Sequence, residues 1–383
     1  MNCKTLIPVV LILFLSSCHI KTRPNDNIGD RNRNVATEYS SKLRISLQES
    51  GWTAVDIINP WDTAQYLQRL ALVPDKYDIN EFDIHCDRTV VRIPVKNTIV
   101  TSTVHLGLFD ELGVLSQIKG ITDANYATAN AIKLLLEAGE IKDCGTWMAP
   151  DTEKILRLNP DAIILSPYQN LGSYSNILEM GLPVIFAADY TEENPLGRAE
   201  WIKFYGMLYG KGDLADSIFS VTEKEYSMLQ SIADSIITKR PRKLILLDLP
   251  YNGSWYVSGK GALNDILITD AGGTNPFATT SEKEITPIAM ELALVRGMQA
   301  DKWLIRYHSS IPLDRETLLS DYPFIKHFKS FHDTEIWACN TGLINYFEET
   351  PFHPERLLRE YISIFHDTLL LPSDTLKYFK KIH

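Results

Sequence analysis

Cys144–Pro167, CGTWMAPDTEKILRLNPDAIILSP, holds one complete helix-to-strand unit with both ends marked. Pro150 and Asp151 supply a turn and an N-cap, and Glu153 puts negative charge in the first helical turn, where the helix dipole favours it. Ile155, Leu156 and Leu158 give a short apolar face. Asn159-Pro160 stops the helix, because proline has no N–H to donate. Ala162–Leu165 is apolar without alternation, which predicts a strand covered on both faces of a parallel sheet. Ser166-Pro167-Tyr168 then turns out at the strand's carboxyl end, the edge where open α/β sheets bind ligands.

A second unit of the same kind follows about 140 residues later. Met290–Ile305, MELALVRGMQADKWLI, again runs from acid to helix to Ala-Asp to apolar strand, and leads into Arg306-Tyr307-His308. One such unit in each half of the chain predicts two similar α/β lobes.

The 383 residues suffice for two domains of ordinary size. A hydrophobic fraction of 45% and a charged fraction of 22% are those of a folded globular chain. The formal net charge of −10 argues against nucleic acid or an anionic membrane surface as the main partner.

Residues 1–17 read as an export signal: Lys4 is a brief basic region, and Leu6–Leu15 is an apolar run too short to span a bilayer. Leu15-Ser16-Ser17-Cys18 resembles the bacterial lipobox, which would make Cys18 the lipidated mature N-terminus; an ordinary signal peptide containing a cysteine is the alternative. Residues 18–41 are polar and aperiodic, as in a disordered tether. Of five cysteines, Cys86, Cys144 and Cys339 then remain, an odd number that leaves at least one thiol free. No CxxC spacing suggests structural zinc.

Residues 42–194 read as an N-terminal α/β lobe with an extra edge segment. Its alternating runs Leu43–Leu47 and Thr89–Ile93 predict an antiparallel addition, Thr63–Leu72 reads as helical, and Thr98–Thr103 reads as the first core strand, followed by a helix from His105 to Leu112. Residues 195–238 connect the lobes. Within them Asp213–Thr238 keeps a 3.6-residue apolar period over roughly 26 residues, or about 39 Å of helix, long enough to serve as a stiff spine. Residues 239–383 form the C-terminal lobe, with strands at Lys243–Leu249 and Glu335–Asn340, a helix start at Thr286-Pro287, and a last helix over Pro354–Thr368. The fold class is α/β: two Rossmann-like lobes joined by a single long helix, with a ligand cleft between them.

An export signal with a lipobox, two α/β lobes and one long connecting helix resemble the class III substrate-binding proteins of ABC importers, a group that carries cobalamin, ferric siderophores and haem. Gly145–Leu165, Asp213–Thr238, Ala271-Gly272-Gly273 and Glu291–Leu304 carry the resemblance, which covers roughly residues 98–370. Residues 42–97 lie outside it. The resemblance implies a periplasmic lipoprotein, anchored through Cys18, that captures an iron chelate (ferric siderophore or haem) or cobalamin. It would deliver that ligand, unchanged, to a permease and ATPase complex in the inner membrane. It implies a monomer with no cofactor or resident metal of its own and no catalytic residues. In the family an acidic residue on each lobe pairs with permease arginines; the motif places these at Glu153 and Glu291. Glu153 precedes Asp161 by eight residues and Glu291 precedes Asp301 by ten, so the match is closer for Glu153.

Ligand contacts are expected on loops at the carboxyl ends of strands: Trp147, Tyr168, Tyr126, Tyr251, Trp255, Tyr256, Arg306, His308 and Tyr346. Tyr and Trp offer wide faces with a polar handle, suited to a macrocyclic chelate. Gly145-Thr146-Trp147 ahead of the Glu153 helix resembles the cobalamin-binding members. Arg306 is a candidate partner for an acidic group on the ligand. His105 and His308 are candidate ligands for a metal held in the chelate, with satisfied loop histidines as the alternative. An exported, lipid-anchored α/β enzyme acting on a small molecule is the rival reading, but the chain has no GxSxG elbow, P-loop or HExxH helix.

Overall fold

The computed structural model describes the backbone of residues 33–35 and residues 37–169, 174–278, 285–367 and 375–383. The signal over 1–17 and the lipidation site Cys18 lie outside the described residues.

Two five-stranded sheets form the lobes. The first runs, in spatial order, Val184–Phe186, Ala162–Leu165, Thr98–Val100, Ile118–Ile121 and Lys142–Asp143, all parallel. The second runs Gly273–Thr274, Lys243–Leu247, Lys302–Tyr307 and Ile336–Asn340 in parallel, closed by an antiparallel Lys380–Lys381. Ala162–Leu165 is buried at every residue, as its unbroken apolar run implies for a doubly covered strand.

The two quoted units are matched in detail. Asp161 Oδ2 accepts the backbone N–H groups of Lys96 (2.7 Å) and Asn97 (3.0 Å) at the start of the neighbouring strand. Asp301 Oδ2 accepts that of Leu244 at 2.8 Å in the same way. A carboxylate just before each strand thus sets its register against the next, which is why Asp recurs there.

The spine helix spans Gly212–Ile237, 26 residues. Ala215 and Phe219, near its start, belong to the core of the first lobe. Tyr226, Leu229 and Ala233, further on, belong to a core of the second. The apolar period therefore stitches one helix into both lobes. The last helix, Pro354–His366, lies along it.

The extra N-terminal segment differs from expectation in three ways. It forms a separate five-stranded sheet rather than an addition to the first lobe's edge, and its last two strands, Tyr66–Pro74 and Thr89–Ile93, pair in parallel. The two sheets meet through Gln68, whose amide donates to the Val184 carbonyl (2.6 Å) and accepts from the Phe186 N–H (2.8 Å), occupying the edge strand's free groups. Thr63–Leu72 is not helical; Tyr66–Pro74 is a strand flanked on both sides, and its apolar Leu67, Leu70 and Ala71 happen to fall at helical spacing as well. Finally, residues 37–41 do not belong to a free tether. Buried Glu200 accepts the N–H groups of Glu38, Tyr39 and Ser40, each at 2.9 Å, and Glu192 accepts those of Ser41 and Lys42 at 3.0 Å.

Thr286-Pro287 is likewise not a helix start. Both sit in the strand Ile285–Ala289, paired antiparallel with Ser254–Ser258 in a two-stranded ribbon, whose edges tolerate proline. The helix that carries Glu291 begins at Met290.

Candidate functional site

A cleft of about 690 Å³ opens between the lobes, at the carboxyl ends of both sheets. The first lobe lines it with Thr101–Val104, which follow the strand Thr98–Val100, with Asp123, Tyr126 and Thr128, which follow Ile118–Ile121, and with Ser166 and Tyr168, which follow Ala162–Leu165. The second lobe contributes His308 after Lys302–Tyr307, and Thr341, Phe347 and Glu348 after Ile336–Asn340.

Trp147 and Met148 sit at the tip of a tight hairpin in which Gly145–Thr146 pairs with Ala149–Pro150. Gly145 has φ +86°, and a Cβ there would lie 2.9 Å from the Ala149 carbonyl oxygen, so the turn requires glycine. The Trp147 N–H donates to Asp123 Oδ2 at 2.9 Å, which fixes the tip over the cleft. The indole lies 4.9 Å from the Tyr168 ring, centroid to centroid, at 32°. Together they form an aromatic platform on the first lobe. Across the cleft Tyr126 meets His308 edge to face at 5.8 Å. The charged residues lining this space, Asp123 and Glu348, are both carboxylates, and both already accept backbone N–H groups.

Of the expected contacts, Trp147, Tyr168, Tyr126 and His308 come together here. The others do not. Trp255 is fully buried beside Trp303 and Phe328, its indole N–H donating to the Leu247 carbonyl at 3.0 Å; it is core of the second lobe. Tyr346 is also buried, packed on Tyr378 and Phe379. Arg306 lies 5.8 Å above the Tyr346 ring, Asp248 holds its guanidinium through Nε (2.9 Å) and a terminal nitrogen, and it does not line the cleft. Tyr251 and Tyr256 line a separate cavity of about 180 Å³ within the second lobe.

His105 is not a free loop histidine. It is buried, and its Nε2 lies 2.8 Å from Asp189 Oδ1, which also accepts the Tyr205 hydroxyl at 2.9 Å. Arg198 Nε donates to Asp189 Oδ2 at 3.1 Å. Burial alone would raise the Asp189 pKa; His105, Arg198 and Tyr205 outweigh it and hold the carboxyl at about 2. Among the described residues no group of three or more His, Cys, Asp or Glu side chains is placed to hold a metal ion. Cys86, Cys144 and Cys339 are free thiols, the last two buried.

Phe347 and Glu348, which line the cleft, were not legible as such in the sequence. Phe347 and Glu348 lie in a short helix, Tyr346–Glu349, whose neighbour is the first-lobe helix Leu106–Glu111. There the Cβ of any other residue at Gly107 would stand 2.3 Å from the Glu348 carbonyl oxygen.

Glu153 and Glu291 both lie in the first turn of a helix and are exposed. Asp151 caps the Glu153 helix by accepting the Lys154 N–H at 2.9 Å, and Glu153 pairs with Arg157 one turn on.

Two lobes, a single spine and a cleft at the strand ends define the class of two-lobed transport substrate-binding proteins. Residues 99–329 match the family described as periplasmic binding protein. The chain is 30% identical over 379 residues to an uncharacterized lipoprotein of Methanocaldococcus jannaschii, covering 90% of this chain and 85% of that one. This chain belongs to the periplasmic binding protein family, a family of transport binding proteins and not of enzymes. Another uncharacterized protein of the same organism is 24% identical over 297 residues, 76% of this chain and 87% of its own length. Among solved structures, the triscatecholate siderophore binding protein of Bacillus subtilis, complexed with ferri-bacillibactin, superposes with a TM-score of 0.58 at 18% identity. That match covers 75% of this chain and 99% of the other. A periplasmic heme binding protein of Pseudomonas aeruginosa gives 0.57 at 16% identity, covering 72% and 94%. These likenesses are of fold. Among the described residues no helix is long and apolar enough to cross a membrane.

Proposed function

We propose that this protein is the substrate-binding lipoprotein of an ABC importer that captures a metal chelate (ferric siderophore, haem or cobalamin) and hands it unchanged to an inner-membrane permease. The observation that carries this reading is the Trp147–Tyr168 platform facing His308 and Phe347 across a cleft of about 690 Å³, a volume and a lining suited to a wide, apolar-faced ligand. The lining is aromatic and hydroxyl-rich, and its two charged residues are carboxylates. Such a site repels a chelate bearing several negative charges, so a weakly charged macrocycle of the cobalamin kind is favoured over a ferric catecholate. Glu153 and Glu291 are the proposed docking contacts, one per lobe, and Cys18 is the proposed lipid anchor.

Native mass spectrometry of the protein as purified, followed by titration with cobalamin, haemin and a ferric catecholate, tests the reading. Capture and release of an unaltered chelate supports it. Failure of all three classes to bind would overturn the chelate assignment.

A further inference from the structure

Behind Tyr168 the cleft continues into a side chamber of about 250 Å³, walled by Ser102, Val104, Ser166, Tyr168 and Tyr190 and floored by His105, Asp189 and Arg198. Ser102, Val104, Ser166 and Tyr168 line both spaces, so the chamber is an extension of the cleft and not an isolated void.

Its lining carries hydrogen-bonding positions left unused. Asp189 takes only Nε of Arg198; the two terminal nitrogens of that guanidinium have no hydrogen-bond partner among the described residues, although the side chain is mostly buried. His105 is buried with Nδ1 unpartnered. The Ser102 and Ser166 hydroxyls likewise make no bond among the described residues, and both stand at the walls. Hydrogen-bonding positions still open on the wall of one cavity are where a ligand's polar groups would be received. A planar guanidinium held at one edge, with its outer edge open, matches a carboxylate or phosphate oxygen pair.

We propose that this chamber receives an anionic arm of the captured ligand, a carboxylate or a phosphate ester, which reaches past Tyr168 and lies against the outer edge of Arg198. The proposal rests on the reading of the cleft as a capture site and assigns to Arg198 the role expected of Arg306, which lines neither the cleft nor the chamber. It also reconciles a cleft lined by carboxylates with a charged ligand: the main body is held by aromatic faces, and one negative group is met at a single cation. The Ser102 and Ser166 hydroxyls complete the shell as donors, while Asp189 holds Arg198 through its Nε.

The test uses small probes, so that it does not depend on which chelate is transported. Binding of 4-fluorobenzoate, 4-fluorophenyl phosphate and the neutral 4-fluorobenzamide to the full folded protein is followed by fluorine NMR. At least one anion should bind tenfold or more tightly than the amide, and which anion does so distinguishes a carboxylate arm from a phosphate arm. Arg198→Gln should reduce that anion to the level of the amide, with Arg198→Lys between. Equal binding of acid and amide to the wild type overturns the proposal, as does no binding of any probe, and neither result requires a variant to fold. Unchanged anion binding in Arg198→Gln overturns it as well. Capture of whole chelates is read separately from quenching of Trp147 fluorescence; its loss with probe discrimination intact would remove the chelate reading and leave the chamber standing.

Discussion

Glu348 of the second lobe caps a helix of the first: its carboxylate accepts the N–H of Thr128 at 2.7 Å and that of Ala129 at 3.0 Å, at the start of the helix Asn130–Glu137. The contact borders the cleft and joins residues 220 apart in the chain. A helix N-terminus offers unpaired N–H groups and a positive dipole end, and here the partner comes from the opposite lobe.

Glu348→Ala should therefore cost about 1–3 kcal/mol of stability, because it leaves two part-buried N–H groups without their acceptor. Burial raises the Glu348 pKa above its ordinary value, and the backbone bonds from Thr128 and Ala129 only partly oppose it. A raised carboxyl pKa adds stability at low pH that is lost as pH rises through the folded value. Denaturant titrations should show wild type gaining on Glu348→Gln as pH falls toward 4. A constant gap would assign the carboxylate no buried charge.

His353 is a second tie between the lobes. Its Nε2 lies 2.5 Å from Glu111 at the end of the first-lobe helix Leu106–Glu111, and its Nδ1 lies 3.0 Å from Glu355. Burial works to lower its pKa, but the two carboxylates prevail and bring it to about 9. That stabilisation is fully present below the unfolded value near 6.5 and disappears as pH rises through about 9. His353→Gln should lose on the order of 2–3 kcal/mol at pH 6 and much less at pH 10, read from melting curves. An equal loss at both values would mean that packing, not charge, is what the histidine supplies.

Trp147 and Trp255 should separate cleanly. Trp147→Ala removes half of the platform with Tyr168 and should weaken chelate capture roughly 5–150-fold, equivalent to about 1–3 kcal/mol. Trp255→Ala empties a fully buried site and should cost about 3–5 kcal/mol of stability, with affinity in the surviving folded fraction within about threefold. Isothermal titration paired with thermal melts distinguishes the two, and the opposite pattern would move the platform out of the cleft.

Charge reversal at the proposed docking residues, Glu153→Lys and Glu291→Lys, should depress uptake by whole cells while chelate affinity changes by less than about threefold, or about 0.7 kcal/mol. Both side chains are exposed, so folding should be unaffected. Matching losses of affinity and uptake would place these residues in capture instead of delivery.

Cys18→Ala should abolish labelling by radioactive palmitate and release the protein from the membrane fraction. Retained label would send the anchor elsewhere.

What the sequence by itself determined is the frame. The unbroken apolar run Ala162–Leu165, the period carried through Asp213–Thr238 and the carboxylates Asp161 and Asp301 ahead of matched strands are local patterns, and local hydrogen bonding and one-sided burial impose them wherever they fold. That Trp147, Tyr168, Tyr126 and His308 line the cleft was legible for the same reason, since each follows or flanks a strand's carboxyl end. The tertiary structure decided which groups are spent and which are free. Trp255 and Trp147 look alike in sequence, yet one meets Trp303 and Phe328 and the other meets an open cleft. Arg306 pairs with Asp248, 58 residues away, and lies off the cleft, whereas Arg198, paired with Asp189 through Nε, keeps its outer edge open beside it. A side chain's partner is set by which distant segments the fold brings within about 3 Å, and no periodicity along the chain encodes that distance.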